Sequence, residues 1–354
     1  MPSSISSSDP GPDGCAAWRR FARLFACTAA TAGAFVYLFV VTVDPWDMLP
    51  LSPPWHRIPI STNARYSMPA LAVSPRFDSA MIGTSTGRLL QPAVLAPLFG
   101  AHFVNLAMNN ASAWEQDRIL RLFLRHHPAP RAVLVGIDVA WCLADQHGLS
   151  APNRPMPDWM YAGSPWRGYA EMMNLYAVQE AANQFMWLIG HKQQRFGSDG
   201  YTSFVPPDSL YDPRRVDAIF RSWRFNPARA QGPAPPPASI PFLTRLLDAI
   251  PTDTTKILWF PPTAREQQGL PGSRIAAARA ACRVAIAAVA RATPHAMAID
   301  FEIPGPIADT RANFWDPLHY RQSVAHMVMA DLAAAATGRD VPPTQGRVLV
   351  PLHP

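Results

Sequence analysis

Two short stretches of the chain carry residue types that could act together as a nucleophile and its base. In "MIGTSTGRLL" (81–90), Ser85 follows an apolar pair and Gly-Thr. A serine hydroxyl is a weak nucleophile until a base takes its proton, and that base needs a third group to fix its tautomer. Of the ten histidines, one has a carboxylate at short spacing after the last expected strand: "NFWDPLHYR", with Asp316 and His319. An Asp-x-x-His loop can aim both side chains into one crevice, the carboxylate accepting from one ring nitrogen while the other faces the serine. Alone, Ser85 has a second reading as a helix N-cap, because serine after a strand accepts from first-turn N–H groups. The Asp316–His319 pair favours the nucleophile.

Elements that could bring residues 85 and 316–319 together are legible as five apolar runs: "SAMIG" (79–83), "HFVNLA" (102–107), "AVLVGI" (132–137), "KILWF" (256–260) and "AMAIDF" (296–301). They read as buried strands. Between the second and third, "AWEQDRILRLFLRHH" has helical spacing, and "SRIAAARAACRVAIAAVARA" repeats it between the fourth and fifth. This rhythm predicts an α/β fold, a doubly wound five-stranded parallel sheet of flavodoxin-like type, whose ligand sits at the carboxyl ends of the strands. Ser85 falls two residues past the first run.

The order and spacing of these blocks resemble the SGNH (GDSL-type) hydrolases, in particular their membrane-anchored branch, which includes DltD-like and alginate-acetylation proteins. The matching residues are "IGTSTGR" for the nucleophile block, "FVNLAMNNASAWEQ" for the second, "VLVGIDVAW" for the third and "FWDPLHY" for the Asp-x-x-His block. The resemblance implies a catalytic triad of Ser85, His319 and Asp316. Thr84 stands where the usual motif has Asp. Asn110 falls where the second block offers a glycine N–H to the oxyanion hole, and its own N–H or amide could serve instead. Asp138 falls near the third-block Asn, where an ionised carboxylate would repel an oxyanion. It points elsewhere, or holds a substrate hydroxyl, or the site is not a hydrolase.

Around this domain, 71–340, the sequence divides further. Residues 1–23 read as a cytoplasmic tail and Leu24 to Val43 as a transmembrane anchor, a charge-free run long enough to cross about 30 Å of hydrocarbon. Arg19, Arg20 and Arg23 before it, and Asp44 and Asp47 after it, put the N-terminus inside and the main domain outside the cytoplasm, periplasmic in a bacterial inner-membrane protein. A cleaved signal peptide is the rival, without a small-x-small site to support it. Residues 44–70 look like an irregular linker and 341–354 like a C-terminal tail. Residues 142–254 break the strand–helix rhythm and form a long helical insertion, either a lid over the site or padding for the sheet.

Composition narrows the chemistry. With 49% hydrophobic and 16% charged residues and a net charge of +6, the chain can bury a full core but lacks a basic stripe, so no nucleic-acid partner is expected. No Cys-x-x-Cys or His/Cys cluster has ligand spacing, so neither a metal nor a cofactor is expected. Cys142 and Cys282 would be buried thiols or, in an oxidising exterior, a disulfide. His102, His126, His127 and His295 read as surface or packing residues, and Trp114, Trp141, Trp259 and Trp315 as core or rim. The resemblance implies an esterase or O-acyltransferase acting on acyl esters of a cell-envelope polysaccharide, with an acylated polysaccharide or acyl donor and a membrane-bound acyltransferase as partners. The alternative is an inactive SGNH-like envelope protein that binds a glycan or a membrane partner.

Overall fold

The computed structural model describes residues 12–142, 155–161, 163–194, 196–223 and 237–353. The first part of the expected tail (1–11) and two stretches of the expected insertion (143–154 and 224–236) lie outside the described residues. The chain divides into two compact units, Met1–Arg57 with Pro165–Lys192, and Ile58–Ser164 with Gln193–Pro354.

The larger unit is mixed α/β. Its strands are β1 (Ser79–Ile82), β2 (Phe103–Asn105), β3 (Ala132–Gly136), β4 (Thr255–Phe260), β5 (Ala296–Asp300) and β6 (Arg347–Val350), in the order β2-β1-β3-β4-β5-β6. The first five pair in parallel, at the positions of the five apolar runs. Continuous apolar runs suit them because both faces of the sheet are covered. Met81, Leu134, Ile257 and Met297 share one core cluster with Val324, Val328 and Leu332 of the Gln322–Ala336 helix. Their neighbours Ala80, Val133, Leu258 and Ala298 point the opposite way along the pleat and are equally buried.

The expected five-stranded parallel sheet is corrected in one respect. β6 is a sixth strand, antiparallel to β5, in the segment read as a C-terminal tail. "RVLV" is four residues long, and Arg347 and Val348 are exposed. An edge strand with one neighbour needs no buried run, which is why no apolar signal marks it.

Helix α2 (Ala64–Val73) begins inside the expected irregular linker, capped by Asn63, whose side chain accepts from the Arg65 N–H. Helices α3 (Pro92–Phe99) and α4 (Ala113–His126) follow β1 and β2, and α4 opens with a capping box between Ser112 and Glu115. Arg65, almost fully buried, donates to both carboxylate oxygens of Glu115, at 2.5 and 2.8 Å. The remaining nitrogen, Nη1, reaches the Asn109 carbonyl at 3.3 Å, and Nη2, shared with Glu115, reaches the Asn110 carbonyl at 3.5 Å. One guanidinium thus pins the start of α4 and the loop before it.

Cys142 and Cys282 are joined in a disulfide with Cα atoms 5.3 Å apart, across a separation of 140 residues. Of the two sequence readings for this pair, the bonded one is present.

The smaller unit begins with α1 (Pro12–Val43), in which Cys15–Val43 is long and apolar enough to cross a membrane. The helix runs without interruption through the expected boundary at residue 23. Arg57 closes its C-terminal end by donating to the Val43 carbonyl at 2.7 Å. The second segment of this unit, 165–192, comes from the middle of the expected insertion and packs on α1 through its Leu175–Leu188 helix. The insertion is therefore not one body. The Ile240–Asp248 helix, near its other end, packs against α4 in the larger unit.

Candidate active site

The turn that carries Ser85 is short. β1 ends at Ile82, and Gly83, Thr84, Ser85 and Thr86 lead into a single 3-10 turn, Gly87–Leu89, instead of a long helix. Ser85 caps nothing. Its hydroxyl lies 2.8 Å from Nε2 of His319, and it is the one partly exposed residue in the buried run from Ala80 to Leu90. The cap reading and the nucleophile reading separate here, because a capping serine would spend its oxygen on a backbone N–H.

His319 arrives from the far end of the chain, on a loop that its own carboxylate shapes. Asp316 Oδ1 accepts the backbone N–H groups of Leu318 and His319 at 2.8 and 3.0 Å, a side-chain turn that leaves Oδ2 to meet His319 Nδ1 at 2.7 Å. An antiparallel bridge between Phe314 and Tyr320 closes the loop's base. Tyr320, fully buried, donates its hydroxyl to the Thr86 carbonyl at 2.6 Å, tying the His319 loop to the Ser85 turn. Burial alone would push the Asp316 carboxyl up, but the His319 hydrogen bond and charge and the two N–H donors hold it below the ordinary carboxylate range. It stays ionised at neutral pH, as an orienting group for the imidazole must.

Ser85, Asn110 and Asp138 line one cleft of about 130 Å³, together with Thr84, Thr263, Arg279 and Glu302. Among the described residues no acceptor takes the Ser85 N–H, which leaves that donor for a ligand. Asn110 sits at the rim with φ +54°, in the left-handed region that glycine and asparagine enter most readily. Its neighbour Asn109 accepts from Arg88 Nη1 at 2.7 Å, so Arg65 and Arg88 hold this loop from two sides.

Asp138 lies beyond β3 with its oxygens occupied. Oδ2 accepts the Thr84 hydroxyl in a short hydrogen bond and the Thr86 hydroxyl at 3.4 Å, and Oδ1 accepts the Ala140 N–H at 3.0 Å. Burial raises its pKa, and these donors, Thr84 first, only partly offset that. Arg279 lines the same cleft and is ion-paired with Glu302. Burial and then the Arg283 charge push the Arg279 guanidinium down to about 10, so it remains a cation at neutral pH.

Asp138 thus bonds the threonines on either side of Ser85. With Ser85 acting as a nucleophile toward esters, Asp138→Asn should lower the rate by on the order of tenfold, since an amide presents one acceptor oxygen where two hydroxyls and an N–H now converge. Steady-state rates with p-nitrophenyl acetate check this. A faster variant would mean instead that the carboxylate acts on the oxyanion.

A separate pocket of about 380 Å³ borders His319 and Asp316, walled by Phe204, Leu210, Val216 and Trp315. Phe204 meets the His319 ring edge-on at 5.1 Å. Gly200 sets the course of this segment: its φ is +83°, and a Cβ there would come within 2.3 Å of the Asn105 carbonyl oxygen.

Sequence reasoning had not singled out Arg279, Glu302, Thr263, Arg65 or Phe204. A signal existed for Glu302, a charged residue two positions past the end of a buried strand, where α/β sheets place ligands. Arg279 and Arg283 are four apart in the middle of an alanine-rich helix, a spacing that marks one face. For Phe204 and Arg65, position in the sequence carries no such mark. Trp315 and Trp259 are buried, in keeping with packing roles, and Trp141 donates to Gln116 at 3.0 Å inside the core. Among the described residues no group of His, Cys, Asp and Glu could hold a metal ion. No protein-family model matches the chain, and no curated protein matches it.

Proposed function

We propose that the chain is a membrane-anchored serine esterase or O-acyltransferase of the SGNH type, acting outside the cytoplasm on acyl esters of a cell-envelope polysaccharide. The observation that carries this reading is the Ser85–His319–Asp316 relay, 2.8 and 2.7 Å, at the carboxyl edge of a mostly parallel sheet. The strand order also suits the doubly wound, flavodoxin-like arrangement of that superfamily, with β6 as an addition.

Ser85 Oγ would attack the ester carbonyl as His319 Nε2 takes its proton, with Asp316 holding the proton already on Nδ1. The oxyanion would be met by the Ser85 N–H and by Asn110, with the Arg279 charge in the same cleft. His319 then protonates the departing alkoxide, leaving an acyl-serine. A water or a sugar hydroxyl, deprotonated by the same nitrogen, would release the acyl group, giving hydrolysis or transfer. The inactive binding protein drew its support from Asp138, whose oxygens are engaged by Thr84, Thr86 and Ala140 rather than bare toward the nucleophile.

Labelling tests the reading directly. A fluorophosphonate should modify Ser85 in the full-length protein, located by mass spectrometry of the peptide, and Ser85→Ala should abolish the adduct. Absence of labelling in folded wild-type protein would return the chain to the binding class.

The location rests on α1, on the Arg19, Arg20 and Arg23 flank, and on the Cys142–Cys282 bond, which suits an oxidising compartment. A reporter active only outside the cytoplasm, fused after Pro354, should be active, and the mature chain should retain residues 1–44. Activity of a cytoplasmic reporter at that position would reverse the orientation.

A further inference from the structure

The Leu175–Leu188 helix is polar inside and apolar outside. Its buried positions are Ala177, Glu180, Ala181 and Gln184. Its outward stripe, Leu175, Gln179, Ala182, Phe185 and Met186, carries no charge. A helix on a protein surface in water shows the reverse polarity. Leu175 is 88% exposed and Met173 in the turn before it 75%, while Phe185 and Met186 are each 41% exposed. Trp166 and Ile189, beyond the two ends of the helix, extend the same character at 59% and 49%.

Contacts with α1 give this helix a depth. Phe185 meets Phe39 edge-on with ring centroids 5.7 Å apart, and Tyr37 donates its hydroxyl to the Tyr169 carbonyl at 3.0 Å. Arg23 is the last charge before the apolar run, and the 20 residues from there to Val43 match one hydrocarbon thickness of about 30 Å. Tyr37 and Phe39 lie within about 9 Å of the end of that run at 1.5 Å per residue. Whatever packs beside them shares the outer part of the same slab. Trp46 near Tyr176 and His56 near Trp187 continue the contact past the end of α1, where aromatic residues favour the membrane–water boundary.

We propose that the Leu175–Leu188 helix and the turn before it lie in the bilayer leaflet that receives the C-terminal end of α1, with lipid covering their apolar face. The inference rests on α1 spanning the membrane. Lipid fits better than a second transmembrane helix because the outward face presents the bulky Leu175, Phe185 and Met186, whereas helices packing in a bilayer meet through small residues. Residues 165–192 then act as a second, non-spanning membrane contact, supplied from the middle of the chain.

Photo-crosslinking tests this in the full-length protein, reconstituted into vesicles of phosphatidylethanolamine and phosphatidylglycerol. A benzophenone amino acid is placed in turn at Leu175, at Met186, at Phe35 on α1 and at Val284 on the Arg274–Ala292 helix. All four side chains are exposed, so the replacement should leave folding intact. Lipid adducts at 175 and 186 with a yield near that at 35, and none at 284, are expected. Adducts at 35 but not at 175 and 186 would overturn the proposal while leaving the anchor in place. Absence of adducts at 35 would remove the anchor and the proposal with it. Adducts to a second copy of the chain at 175 or 186, in place of lipid, would overturn it in favour of a protein contact.

Discussion

Ser85→Ala and His319→Ala should each reduce turnover of p-nitrophenyl acetate by the full-length, detergent-solubilised protein by on the order of 10⁴-fold or more. The double variant should cost little beyond either single change. This shared loss follows from the geometry: with Ser85 Oγ 2.8 Å from Nε2, neither group has a catalytic role once the other is gone. Asp316→Asn should fall in the same direction with equal or smaller effect, since the imidazole remains but its Nδ1 partner can no longer enforce the tautomer. Fluorophosphonate labelling of the variants separates lost chemistry from lost folding when read beside their circular dichroism. Small, additive losses would place the measured turnover at some other site, and the triad reading would fall.

Removing the disulfide with the double change Cys142→Ser/Cys282→Ser should have the largest effect on stability. A cross-link closing a loop of 140 residues restricts the unfolded chain by about 5 kcal/mol in the loop-entropy account. Denaturant titration of the two forms measures the difference. The bond also has a local role, because Asp138 lies four residues before Cys142 and Arg279 three before Cys282. Two walls of the cleft that holds Ser85 are thereby joined. Turnover in the double variant should drop even where most molecules are folded. Unchanged stability and rate together would show that packing alone sets these walls.

The sheet was readable because each parallel strand is buried on both faces and so appears as an uninterrupted apolar run, from "SAMI" to "AMAID". The juxtaposition of Ser85, His319 and Asp316 was readable because a serine nucleophile would need a base and an orienting carboxylate, and Asp316 and His319 lie three apart on one loop. Asn110 and Asp138 were legible as positions but not as environments. Nothing local to Asp138 says that Thr84, 54 residues earlier, would turn its hydroxyl toward it. The division of residues 142–254 was hidden for a related reason: 165–192 joins α1 through contacts such as Tyr37 to Tyr169, 132 residues apart, which no period in the sequence encodes. β6 escaped because an edge strand of four residues is half exposed.

The hydrogen bond from Tyr320 to the Thr86 carbonyl spans 234 residues, as does the one between His319 and Ser85. Synthesis runs from the N-terminus, so at about 5–20 residues per second the serine is made roughly 10–50 s before its base. Throughout that interval Ser85 is an ordinary alcohol. In the proposed reading, the nucleophile is armed only when the chain has been made past residue 319 and the Asp316–His319 loop has docked. A chain truncated anywhere before His319 would carry the serine without the power to acylate it.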